Sequence, residues 1–171
     1  VMVMGAHYVL TASIHENVVS NWNWIEALIA SVPIAILVML IVWINQFQDA
    51  PSDAAVGKNT WVVRTAEKGE WMKLEKPLRL YKQFMIEAFV AVALVGALSF
   101  FTDFGTVYAF MALIPIALVW KAFKMADEWM IKWNNPNADR QKVPYELLLV
   151  NVSTIGIHFL TGILLAVAYI L

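Results

Sequence analysis

The chain has 171 residues, 61% of them hydrophobic, with a mean hydropathy of +0.66, too apolar for a soluble domain, in which about half of the residues are apolar. It contains no cysteine, which excludes disulfides, thiolate nucleophiles and cysteine-based metal sites. A net charge of −1 argues against a nucleic acid held by bulk positive charge, and the composition is that of an integral membrane protein.

Hydropathy predicts five crossings, at residues 1–14, 24–47, 84–101, 107–123 and 145–171, hence a single all-α membrane domain over 1–171, a polytopic helix bundle. The first run is shorter than the roughly 20 residues that span a bilayer core and has no basic n-region of a signal peptide. The chain also starts at Val1, so it is expected to be the C-terminal portion of a longer protein. Tyr8 and Thr11 are spaced to share a face of that first helix, and they either line a substrate cavity or pack against neighbours. The second run is almost purely apolar from Trp24 to Ile44 and long enough to cross a membrane.

Immediately after it come Asn45, Asp49 and Asp53 at four-residue intervals, then Gly57, Lys58, Thr60 and Arg64. Residues at i, i+4 and i+8 share one helix face, although Pro51 predicts a kink or an end near Ala50 and a restart at Ser52 or Asp53. Two carboxylates at such a place suit Mg²⁺, which takes one or two carboxylates together with phosphate oxygens and water. Lys58 and Arg64 would meet the remaining phosphate charge, so the segment reads as a diphosphate site or, more plainly, as a solvated loop. A phosphate loop of the Walker type is excluded, because it needs Gly at 52 and Ser or Thr at 59, where this chain has Ser52 and Asn59.

All twelve Lys and Arg fall in two segments, Lys58 to Lys82 and Lys121 to Lys142, and the loops 16–23 and 102–106 have none. The positive-inside rule makes the two basic segments cytoplasmic. Residues 47–83 are then a cytoplasmic loop carrying the aspartates, with 65–82 as a cap over them or a surface linker. Trp22, Trp24, Trp120, Trp129 and Trp133 are expected at the membrane interfaces as an aromatic belt. Glu87, inside the third crossing, is expected to face the bundle with Lys82 or Lys58 as partner, since an acid facing lipid is costly. Residues 134–139 form a turn by composition, and His158 reads as a buried histidine bonded across helices.

The run Asn45, Asp49, Asp53, Gly57-Lys58, Thr60 and Val63-Arg64 resembles the second aspartate-rich motif of the UbiA superfamily of intramembrane prenyltransferases. His7-Tyr8, Thr11, Glu26, Ser31 and Pro33 upstream, and His158 with Thr161-Gly162 downstream, are similar to the flanks of that motif in the menaquinone-pathway branch, the 1,4-dihydroxy-2-naphthoate polyprenyltransferases. The resemblance implies the C-terminal part of a fold of about nine helices and Mg²⁺-dependent transfer of a polyprenyl chain from polyprenyl diphosphate to an aromatic acceptor, the naphthoate being favoured over acceptors of ubiquinone, haem, chlorophyll or archaeal lipid synthesis. It implies Asp49 and Asp53 as catalytic metal ligands, and Asn45, Lys58, Arg64, Tyr8 and Thr11 as substrate-binding residues.

The expected partners are membrane lipid, the two substrates, and the missing N-terminal half or other membrane subunits, at the inner or plasma membrane. The chain departs from the family in having no second Asn/Asp cluster. Asp103 lies on the predicted outer side, and Asp127 and Glu128 lack the four-residue repeat. The isolated chain is therefore expected to be inactive. The alternative from another class is a non-catalytic subunit of a larger membrane complex that binds quinone or lipid.

Overall fold

A computed structural model describes residues 24–66, 70 and 72–171; Tyr8, Thr11, Trp22 and the first predicted crossing lie outside them. The described chain forms α1 (Trp24–Ala55), a short α2 (Trp61–Thr65), α3 (Glu75–Leu98), a 3-10 segment (Val107–Leu113) leading into α4 (Ile116–Trp133), and a second 3-10 segment (Val143–Leu147) leading into α5 (Leu148–Ala168). The fold is an all-α bundle. Four of its helical stretches are long and apolar enough to cross a membrane, which makes the chain a membrane protein.

Each crossing buries a stripe at helical spacing. On α1 it is Leu37, Leu40, Ile44 and Phe47; on α3 Leu78, Tyr81, Met85, Ala88 and Val92; on α5 Val150, Thr154, Ile157, Thr161 and Leu165. These stripes meet where α1 packs on α3 and α5, and where α5 packs on α4. The outward faces are just as apolar, with Val38, Val42, Ile86, Val90, Leu94, Val152, Ile155 and Phe159 exposed. A water-soluble bundle would place charge there; hydrocarbon accepts these side chains. Between α3 and α5 the hydroxyls of Tyr81 and Thr154 lie 2.7 Å apart in a buried hydrogen bond, a short polar tie of the kind that joins membrane helices.

Pro51 neither ends nor restarts the helix: α1 runs unbroken to Ala55. Proline costs a helix about 3 kcal/mol, but Phe47 and Ala50 on the preceding turn are fully buried, and Phe47 packs edge-on against Trp129 with ring centroids 5.9 Å apart. Burying a side chain such as Phe47 returns about 1.5–3 kcal/mol, enough to hold the turn helical despite the missing amide. The predicted loop 47–83 therefore begins as helix, and it ends as helix too, because α3 starts at Glu75 and carries Lys76, Arg79 and Lys82.

Two other expectations fail. Glu87 is exposed on the outward side of α3 and accepts a hydrogen bond from Gln83 at 2.8 Å. Lys82 instead pairs with Asp127 of α4 and Lys58 with Asp53. Trp24 and Trp120 are exposed as an interfacial belt requires, but Trp129 and Trp133 are core. Their rings stack with centroids 5.5 Å apart. Each indole N–H donates to a backbone carbonyl, Trp129 to Val143 at 2.8 Å and Trp133 to Met72 at 2.7 Å. A buried indole needs such an acceptor, and the start of the second 3-10 segment and the turn before α3 supply it.

Gly105 closes the turn after α3 with φ +82°, and a Cβ there would stand 2.3 Å from the Val95 carbonyl oxygen. Gly105→Ala is thus expected to destabilise the fold by more than about 1 kcal/mol, measurable as a lower thermal midpoint in detergent. An unchanged midpoint would mean that the turn rearranges freely.

Candidate functional site

The last turns of α1 leave the apolar stretch at Asn45 and carry Asp49 and Asp53 on one side of a continuous helix. Four residues advance a helix about 6 Å, so the three polar side chains form a ladder and are not dispersed along a loop. Asn45 is tied to the last crossing, its Oδ1 accepting from Asn151 Nδ2 at 2.7 Å. Asp49 is exposed. Its backbone carbonyl accepts from Ser52 Oγ at 2.8 Å.

Asp53 is the centre of the cluster. Only 6% exposed, it accepts from Lys58 Nζ at 3.0 Å through Oδ1, while its Oδ2 is buried without a partner among the described residues. The turn that returns Lys58 to it is made by Gly57, at φ +71°, and by the Lys58 amide bonding the Asp53 carbonyl at 2.8 Å. Gly57 has open space around its missing Cβ, so its role is the left-handed backbone and not close packing. Thr60 follows as N-cap of α2, its hydroxyl oxygen buried and likewise without a partner among the described residues. Gln46 Oε1 accepts from the Val62 amide at 3.2 Å and docks α2 against α1. Arg64 is exposed on α2.

The structure therefore brings Asp53, Lys58 and Thr60 together around one tight turn. Asn45 is directed to α5, and Asp49 and Arg64 stand at the surface. Among the described residues no group of three or more His, Asp or Glu is gathered to hold a metal; a cation here would have to complete its shell from a ligand and water. Tyr8 and Thr11 lie outside the described residues.

The sequence reading passed over a neighbouring feature. Gln48, Pro51 and Ser52 of α1 face Arg140, Gln141, Lys142, Pro144 and Tyr145 across a cleft of about 640 Å³. Arg140 caps it from the ring of Trp133, its guanidinium carbon 4.3 Å from the ring centroid, and donates to the Trp133 carbonyl. The available signal was the basic 140–142 run, read only for topology. His158 Nδ1 and Thr161 Oγ1, on α5, are also buried without partners among the described residues. No protein-family model, curated protein or solved structure matches this chain.

Proposed function

We propose that the end of α1 is half of a magnesium-dependent diphosphate site, and that the chain serves the transfer of a polyprenyl chain from polyprenyl diphosphate to an aromatic quinone precursor, 1,4-dihydroxy-2-naphthoate, in quinone biosynthesis at the cell membrane. The observation that carries this reading is Asp53, a buried carboxylate with one oxygen on Lys58 and the other without a partner among the described residues, at the mouth of a membrane helix. A carboxylate oxygen in that state is costly unless a cation or donor meets it.

The donor set fits magnesium, which asks the protein for only one or two carboxylates and takes the rest from phosphate and water; Asp53 and Asp49 would hold it. Bound there, the ion would offset the charge that builds on a departing diphosphate. The chain's own groups do the positioning. Lys58, with its side chain 64% exposed, can turn from Asp53 to a phosphate oxygen, and Arg64, exposed on α2, would offer an anion a two-pronged donor. Asn45, fixed through its oxygen by Asn151, keeps its amide nitrogen as a donor. Diphosphate binding is expected to require magnesium. Calorimetry with a polyprenyl thiodiphosphate, on the chain in lipid nanodiscs, tests this. Binding indifferent both to magnesium and to Asp53→Asn would sink the reading.

A second reading, a non-catalytic subunit that holds quinone or lipid, draws on an apolar cavity of about 580 Å³ between the start of α1 and the end of α5, edged by Glu26 and Tyr169. It gains if quinone binds the chain while no transfer appears with the first aspartate-rich motif supplied on partner helices.

Both readings place the basic ends of the helices in the cytoplasm. Cysteines replacing Lys73 and Gln141 are expected to react with an impermeant thiol reagent from the cytoplasmic side, and one replacing Asp103 from the outside. The opposite pattern would remove the aspartates from the compartment that holds the substrates.

A further inference from the structure

We propose that Lys73, Lys76 and Arg79, at the start of α3, form a binding site for the phosphodiester headgroup of an anionic bilayer lipid. With Glu75 they line a cleft of about 420 Å³. Its one acid offsets only part of that charge: Glu75 Oε1 accepts from Asn134 Nδ2, beyond α4, at 3.0 Å, and three cations stand against it in the lining. Lys73 is paired with Glu70 at 2.5 Å, so the free charge of the cleft is that of Lys76 and Arg79. Lys76 and Arg79 are exposed and have no acidic partner among the described residues, whereas Lys82, Lys132 and Lys142 face Asp127, Glu146 and Asp139.

Position adds to charge. Lys76 and Arg79 are three residues apart and share a face of α3, while Pro77, Leu78 and Tyr81 face the core. Seven residues after Arg79, about 10 Å along the axis, the outward face has become apolar at Ile86, followed by Val90 and Leu94. The cations therefore stand one headgroup's depth above side chains that contact acyl tails. A lipid that binds here keeps its tails on α3 and its phosphate in the cleft, whereas a free anion would gain only the charge.

The test uses the whole chain in nanodiscs of zwitterionic lipid doped with phosphatidylglycerol, with co-purified lipid counted by mass spectrometry. Each cation near an anionic surface is worth about fivefold in binding, so Lys76→Gln with Arg79→Gln is expected to lower retained phosphatidylglycerol at least about tenfold. The charge-conserving Lys76→Arg with Arg79→Lys should retain it, which separates charge loss from misfolding. Lys121→Gln with Lys124→Gln removes the same charge from α4 and should change little. An equal loss in that control would show diffuse attraction and overturn the site. Displacement of the lipid by millimolar inorganic phosphate would overturn the assignment to a lipid, as would retention unchanged in the first variant.

Discussion

Asp49→Asn combined with Asp53→Asn is expected to lower magnesium-dependent prenyl transfer at least about a thousandfold, with the helices bearing the first aspartate-rich motif supplied in the same vesicles. Each charged contact to a leaving diphosphate is worth a few kcal/mol at the transition state, and about 1.4 kcal/mol is a factor of ten. The amide keeps the shape of the carboxylate and removes the charge, so the helix end should survive. Lys58, mostly exposed, returns to water at little cost when its partner is neutralised. The comparison that matters is therefore turnover against an unchanged thermal midpoint. Near-normal turnover in the double variant would refute the assignment of these acids to metal and diphosphate, whatever the protein's true substrate.

Trp133→Ala is expected to cost the fold about 3–5 kcal/mol, the usual range for emptying a buried aromatic site. It removes the largest fully buried side chain among the described residues, the stack on Trp129, the hydrogen bond that anchors the Met72 carbonyl and the platform under Arg140. Trp133→Phe should recover most of the packing and lose chiefly the hydrogen bond, about 0.5–1.5 kcal/mol. Unfolding in mild detergent would show the two as a large and a small fall in midpoint. Equal falls would mean that the indole nitrogen, and not the ring, secures this end of the bundle.

What was legible in the chain was its apolar runs. Runs such as Trp24 to Ile44 have few other places to go, and each such run among the described residues became helical. The ends were misread wherever a charge or a proline was taken as an end. Lys76, Arg79 and Lys82 read as loop residues, yet long cationic side chains can ride a helix out of the membrane and keep their heads in water. Pro51 read as a break because local propensity says so, and the packing of Phe47 overrode it.

The candidate site was legible in part. The four-residue ladder and the Gly57-Lys58 turn are local, and the Asp53–Lys58 pair follows from that turn. Nothing local announces that Asn45 meets Asn151, 106 residues on, or that the indoles of Trp129 and Trp133 would find the carbonyls of Val143 and Met72. Such partners exist only once the helices are assembled. Glu87 is not driven inward, because Gln83 sits one turn away and donates a hydrogen bond to its carboxylate.

The length of α1 has a further consequence. Its 32 residues span about 48 Å at 1.5 Å each, against a hydrocarbon slab of roughly 30 Å. The stretch up to Ile44 matches that slab, so the acids stand beyond it as a fixed spacer. On the proposed diphosphate site, acyl-chain length then becomes a control on binding: a thicker bilayer draws the helix inward or reduces its tilt, pulling Asp49 toward hydrocarbon, where an ion is costly. A thinner bilayer leaves the same acids in water, out of reach of any phosphate still anchored by its own tail.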